Sequence, residues 1–429
     1  MFHDSNLSYL CIHMDSCTDK KTGQVYDCIV IGGGISGISF AHNLSQIGQN
    51  VLVFEKKRDI GGEVQTYTST AYPDFWVEMG AHTCYNSYTG LLSMILGSGL
   101  KDKILPLNKS RYVIFTTNGI KSIFSQMVSF SLMFNGIKVF FSSKEKKSVK
   151  EYFRPIVGKK NYDKLFRQLF RAVICQPADN YPAELFLKRR KGRMTELPRK
   201  YSFDGGLQTM LDSIVKKDDI RVRTHTEVTG IAAEENGYRI CTSDRGVFHA
   251  RNVAFAAGPQ ITSQLLKDIE PAVSSLLNTI PLSYTETLSL VIKKDNIDLQ
   301  AVAGIIPVSD EFMSVVSRDV AEHPHLRGFS THFGTDGKSE KEKLDIACHV
   351  LNIKQTDMLE YSFTSHTLPS PHKEHIHIAD KIEGVRTQEH FFVLGNYFYG
   401  LSLEDCIHRS GDEFVRYKTV NNLTRGVTR

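Results

Sequence analysis

Residues 26–55 read YDCIVIGGGISGISFAHNLSQIGQNVLVFE, and no other stretch constrains the fold as tightly. YDCIVI is a short, apolar, β-leaning run, as a parallel strand buried on both faces requires. Gly32, Gly34 and Gly37 follow it as GxGxxG. The next residues carry helical apolar spacing and stop at Gly48, and NVLVF then forms a second strand closed by Glu55. Each part has a physical task. Gly32 permits a tight turn, Gly34 lets the backbone approach a pyrophosphate, and Gly37 lets helix and strand pack closely. The helix start at Ile35 and Ser36 offers unpaired N–H groups to phosphate, and Glu55 can accept hydrogen bonds from a ribose. Because strand, glycines, helix, strand and acid occur in this order, a dinucleotide site in an α/β, Rossmann-like domain is expected.

With 429 residues the chain can hold two sizeable cores. Its net charge of +5 is too small to name a partner, and no nucleic-acid signature is present. The eight cysteines are scattered without metal spacing, which suits reduced thiols in a cytoplasmic protein. The first 25 residues lack the apolar core of a signal peptide, Met14 is an alternative start, and the chain ends in a polar tail. The apolar stretch 123–141 contains Gln126, Asn135, Gly136 and Lys138, so it is a poor span. Beside the lysine cluster at 144–150 it could lie on an anionic membrane face, peripherally and on the inner side, or simply be core.

After Glu55 come KKRDIGGEVQT and, further on, WVEMGAHT. This layout resembles the flavin amine oxidase superfamily. There a glycine pair (Gly61, Gly62) follows the ribose acid, basic residues (Lys56, Lys57) lie near the phosphates, and an E-x-G-A segment (Gly80, Ala81, His82) passes the flavin. The resemblance implies FAD. One departure stands out: Glu63 occupies the position where the family commonly has Arg, so it should point away from the phosphates. SFDGGLQTMLDSIV (202–215) resembles the family's G-G-L helix start, and residues 219–259 read as a run of strands. By resemblance, Val228 meets the adenine through its backbone and Ala257 lies in a turn passing the same cofactor.

Near the C-terminus, FFVLGNYFYGLSLEDCI (391–407) places an apolar strand, a turn at Gly395-Asn396 and a helix start at Ser402-Leu403. Ser402 suits an N-cap, with Asp405 as a short-armed version of the capping box. Such a helix end could stabilise negative charge on a reduced flavin. The form of the stretch resembles protoporphyrinogen oxidases, G-N-x-x-x-G-V-S-x-x-D-C-I, with Leu401 for the valine. HTLPSPHKEH (366–375) resembles their A-(L/I)-P-Q-Y segment, with Ser370-Pro371 for Gln-Tyr.

The resemblance implies an FAD-binding domain in three pieces, 26–110, 200–270 and 388–418. A helical insertion over 115–195 and a mixed α+β substrate domain over 275–385 interrupt it, and 1–25 and 419–429 form disordered tails. It implies hydride transfer from a substrate carbon to flavin N5, with oxygen or another acceptor downstream and a porphyrinogen as substrate. Arg111 would hold a propionate. An amine, amino-acid or polyene substrate, and a flavin-binding partner without turnover, stay open. No catalytic base or metal ligand is assigned; His82 and His366 read as structural.

Overall fold

The computed structural model describes residues 24–127, 142–335 and 337–423. Met14 with its polar surroundings, residues 128–141 of the apolar stretch and residues 424–429 of the tail lie outside them.

Strand β1 (Val25–Ile31) leads through the glycine turn into helix α1 (Ile35–Ser45), and the chain returns as β2 (Val51–Phe54). β1 pairs in parallel on both sides, so Ile31 stands beside Phe54 of β2 and beside Phe255 of β3 (Val247–Phe255). Cys28, Val30, Val53 and Ala254 are fully buried and pack with Ile38, Phe40 and Leu44 of α1. Layers cover both faces, which is why these strands are apolar throughout rather than alternating. Arg221–Arg223 extends the sheet beyond β2 in parallel, and the antiparallel strands Val228–Glu234 and Gly237–Thr242 extend it beyond β3.

The second sheet is built around the twelve-residue strand β4 (Leu282–Lys293). On one side β4 is followed by β6 (Leu326–Gly334), which in turn pairs with β5 (Ser314–Ser317), and β7 (Met358–Pro369) lies on the other. One face is apolar: Leu288, Leu290, Phe329 and Phe333 bury against helix Glu340–Leu351. The opposite face carries Thr287, Ser289, Ser330 and His332 and turns toward the first domain. There the Ser330 hydroxyl donates to the Glu78 carbonyl at 2.6 Å, and a Cβ on Gly328 would stand 2.5 Å from Val77.

The helical reading of 115–195 fits only its middle. Helices Val149–Val157 and Arg167–Ile174 are joined through a wider turn at Tyr162–Phe166, and Ser148 with Glu151 forms a full capping box. Tyr112–Thr116 and Gly119–Ser122 are instead strands of the second sheet. Beyond Ile174 no helix forms before Leu207–Lys217.

The chain then returns to the first sheet. β8 (Phe391–Val393) pairs in parallel with β3, setting Val393 beside Phe255. α2 (Leu403–Val420) packs on α1, and the Ser410 hydroxyl donates to the Ser36 carbonyl at 2.8 Å. Among the described residues no helix is long and apolar enough to cross a membrane.

Candidate functional site

The carboxyl ends of β1, β2, β3 and β8 open onto one crevice, and each is followed by residues expected to hold a dinucleotide. Gly32 follows β1 with φ +110, and a Cβ there would stand 2.6 Å from the Ala256 carbonyl oxygen, so only glycine fits. At Gly37 a Cβ would lie 2.0 Å from the Gly32 carbonyl oxygen. Gly34 caps α1 and differs from both. A Cβ there would meet nothing nearer than the backbones of Gly61 and Gly62 at 3.8 Å. A slot floored by two glycine turns therefore runs past the first N–H groups of α1, at Ile35 and Ser36. This is the shape and polarity a pyrophosphate needs.

Glu55 follows β2, is buried, and accepts N–H bonds from Gly33 and Lys57, both at 2.8 Å. Each carboxylate oxygen keeps acceptor capacity for a ribose hydroxyl. The main chain of Glu55 and Lys57 accepts from Thr226 and His225, which brings Val228 alongside. Ala257 follows β3, and Gly395-Asn396 follows β8, with Gly395 at φ +148. The E-x-G-A segment is clamped to the glycine pair: Ala81 N–H donates to the Glu63 carbonyl, and a Cβ on Gly80 would lie 2.0 Å from that oxygen. Gly32, Gly34, Gly37, Glu55, Gly61, Gly62, Ala257, Gly395 and Asn396 thus lie at or beside these strand ends, whereas His82 faces a separate cleft. The donors, the slot and the acid fit FAD.

Glu63 points away from this slot. Its Oε2 lies 2.5 Å from Nδ1 of buried His366, whose Nε2 faces the Met79 carbonyl at 3.0 Å. His366 is locked at both nitrogens, in keeping with a structural part. At α2, Ser402 caps by accepting from Asp405 N–H, but the reciprocal half of the capping box is missing. The Asp405 carboxylate accepts instead from the Ser402 hydroxyl and pairs with Lys188 at 2.9 Å and Arg190 at 3.2 Å. These two cations belong to the KRRKGR run, 188–193, whose charge was readable in the sequence but whose destination was not.

Between the E-x-G-A segment and the second sheet lies a narrow cleft, partly open to solvent, with a cavity volume of about 50 Å³. Trp76, Glu78, His82, Tyr112, Lys200 and Arg318 are among its walls. Arg318 stacks on Trp76, 4.1 Å from the ring centre; burial lowers its pKa to about 10, so it remains a cation at neutral pH. Glu78 accepts from Thr66 and from Leu207 N–H, and burial outweighs these bonds and raises its pKa to about 7. His82 is lowered to about 4 by burial and then by the charge of Lys200, and is neutral. Arg111 is exposed and donates to Gln300 at 2.8 Å; its neighbours Ser110 and Tyr112 line the cleft, and its own side chain does not. No sequence motif marks Arg318, which reaches the cleft only through the pairing of β5 with β6. Among the described residues no cluster of metal-ligating side chains occurs.

A model of the flavin containing amine oxidoreductase family matches residues 35–291. The chain belongs to this family. It is therefore an FAD-dependent oxidoreductase. Chloroplastic protoporphyrinogen oxidase 1 of Spinacia oleracea is 28% identical over 196 residues, 41% of this chain but only 33% of the relative's length. Its counterpart in Arabidopsis thaliana is 21% identical across 92% of this chain and 88% of its own. A solved structure from Exiguobacterium sp. 255-15, provisionally assigned as a protoporphyrinogen oxidase, superposes with a TM-score of 0.74 at 17% identity. It covers 92% of this chain and 98% of that one, a likeness of fold alone.

Proposed function

We propose that this flavoprotein oxidises protoporphyrinogen to protoporphyrin, a step of haem synthesis. The observation carrying the reading is the charge of the cleft. Two cations, Lys200 and half-buried Arg318, face it, while the one carboxylate in its wall, Glu78, is occupied by Thr66 and the start of helix Leu207–Lys217. Such a cleft favours a substrate bearing carboxylates over a cationic amine. The C-terminal stretch and the breadth of the Arabidopsis match support the same substrate.

In this reading Arg318 holds one propionate within the cleft, and Arg111 meets the second at the rim. Bound FAD supplies the hydride acceptor. The chain's own residues orient the macrocycle, keep His82 neutral beside it, and hold negative charge near the cap of α2 through the Lys188–Arg190 pair. Molecular oxygen or another acceptor completes turnover. The basic surface around residues 144–193 offers a peripheral contact with an anionic membrane face.

The test follows porphyrin fluorescence from protoporphyrinogen with the FAD-loaded protein. Wild type should produce it, and Arg318→Ala should raise KM about tenfold with little change in kcat, the loss of a charged hydrogen bond. An unchanged KM in both Arg318→Ala and Arg111→Ala would remove the propionate argument.

A further inference from the structure

The polar face of the second sheet contains a row that ends in two unused hydrogen-bonding groups. Across the strands, Thr364 pairs with Thr287, Thr287 with His332, and His332 with Ser314. The Thr364 hydroxyl donates to Gln65, and Thr287 Oγ1 lies 2.8 Å from His332 Nδ1. His332 Nε2 and Ser314 Oγ are buried, and among the described residues neither has a hydrogen-bond partner. A buried polar group left so costs stability unless a ligand completes it.

The tautomer of His332 follows from the same contacts. Among the described residues, the Thr287 hydroxyl has no acceptor other than His332 Nδ1. Its proton therefore goes to Nδ1, and Nε2 carries the hydrogen of the neutral ring. Burial lowers the pKa of His332 to about 3, with His82 and His366 nearby, so the ring stays neutral and is a donor rather than a base. Ser314 offers a second donor one strand away.

The position points to the substrate. Gln65, beside the flavin-holding glycine pair, touches the row at β7. His332 lies two strands further on and Ser314 three, at about 4.8 Å per strand. On the same face, Ser330 and Val316 are the neighbours of His332 and Ser314 and line the cleft, while His332 and Ser314 themselves stand buried one residue pair beyond its wall. We propose that His332 Nε2 and Ser314 Oγ form a two-donor subsite that takes an acceptor oxygen of the substrate and selects anionic or carbonyl-bearing molecules over amine cations. This rests on the cleft being the substrate cleft of a flavin oxidoreductase, as the proposed function has it.

The test uses benzoate and benzylamine as probes of the FAD-loaded protein, read by perturbation of the flavin visible spectrum. Benzoate should perturb wild type and benzylamine should not. His332→Phe and Ser314→Ala should each weaken benzoate binding about tenfold, and His332→Gln, which restores an N–H donor, should recover most of it. FAD content, the ligand-free spectrum and the melting temperature of Ser314→Ala should match wild type. Benzoate binding unchanged in both His332→Phe and Ser314→Ala overturns the subsite. A shifted ligand-free spectrum with weakened FAD binding in Ser314→Ala also overturns it, since the donors would then serve the flavin. Failure of protoporphyrinogen oxidation with His332-dependent benzoate binding intact would reject the porphyrinogen reading alone. Porphyrinogen turnover with benzoate binding indifferent to His332 would reject the subsite alone.

Discussion

At the scale of single residues, the flavin site depends on positions where no side chain fits. A Cβ on Gly37 would stand 2.0 Å from the Gly32 carbonyl oxygen, so Gly37→Ala must push α1 off the turn. The expected outcome is loss of bound FAD, measured as flavin per chain after desalting, with residual protein less stable by about 2 kcal/mol or more. Glu55→Ala should weaken FAD binding by about one to two orders of magnitude, because Gly33 and the ribose lose a shared acceptor. These residues were legible in the sequence because a turn against a phosphate is a local problem with few solutions. Glu63 was legible only by exclusion: a carboxylate is a poor neighbour for phosphate. Its partner His366, 303 positions away, could be supplied only by the fold.

At the scale of elements, α2 does more than cap itself. Its buried Glu404 accepts from the amide N–H groups of Gly90 and Leu91, at 2.8 and 3.0 Å. It thereby caps the start of helix Thr89–Gly97 from another part of the chain. Glu404→Ala should cost about 2–4 kcal/mol in urea unfolding, since two amides at a helix start lose an anionic acceptor, and Glu404→Gln should recover part of it. The strands Tyr112–Thr116 and Gly119–Ser122 were available to a closer reading. Their sequence, YVIFT-TN-GIKS, is a β-branched run broken at Asn-Gly, with Gly119 at φ +86, and that is hairpin chemistry. The helical expectation for 115–195 took in these strands, and the Asn-Gly turn between them is the local signal against it.

At the scale of the whole molecule, the large shifts that burial gives Glu78, His82 and His332 have opposed pH dependences. His82 and His332 titrate near 4 and 3 when folded, below their ordinary 6.5, so the unfolded chain takes up their protons first. Their contribution to stability is present above pH 6.5 and is lost as pH falls toward the folded values. Glu78 has the reverse sign. Raised from 4.5 to about 7, it stays protonated in the folded state, and its contribution is lost as pH rises through that window. Between pH 6.5 and 4.5 the two histidines outweigh the single acid, so urea midpoints should fall on acidification. Glu78→Gln should make that fall steeper; a shallower one would contradict the assignment. None of this was visible in the sequence. Nor was the meeting of Arg318, Lys200 and the polar sheet face. Each depends on which strands pair, and that is decided by burial over hundreds of residues rather than by any motif.

The most direct measurement of the central claim is anaerobic. The FAD-loaded protein is mixed with protoporphyrinogen while the visible absorbance of the flavin is followed in a stopped-flow instrument. The account predicts rapid bleaching, with porphyrin fluorescence rising in step and both slowed at low substrate concentration in Arg318→Ala. A flavin that stays oxidised while amines or polyenes bleach it would contradict the substrate assignment and leave the family and the fold in place.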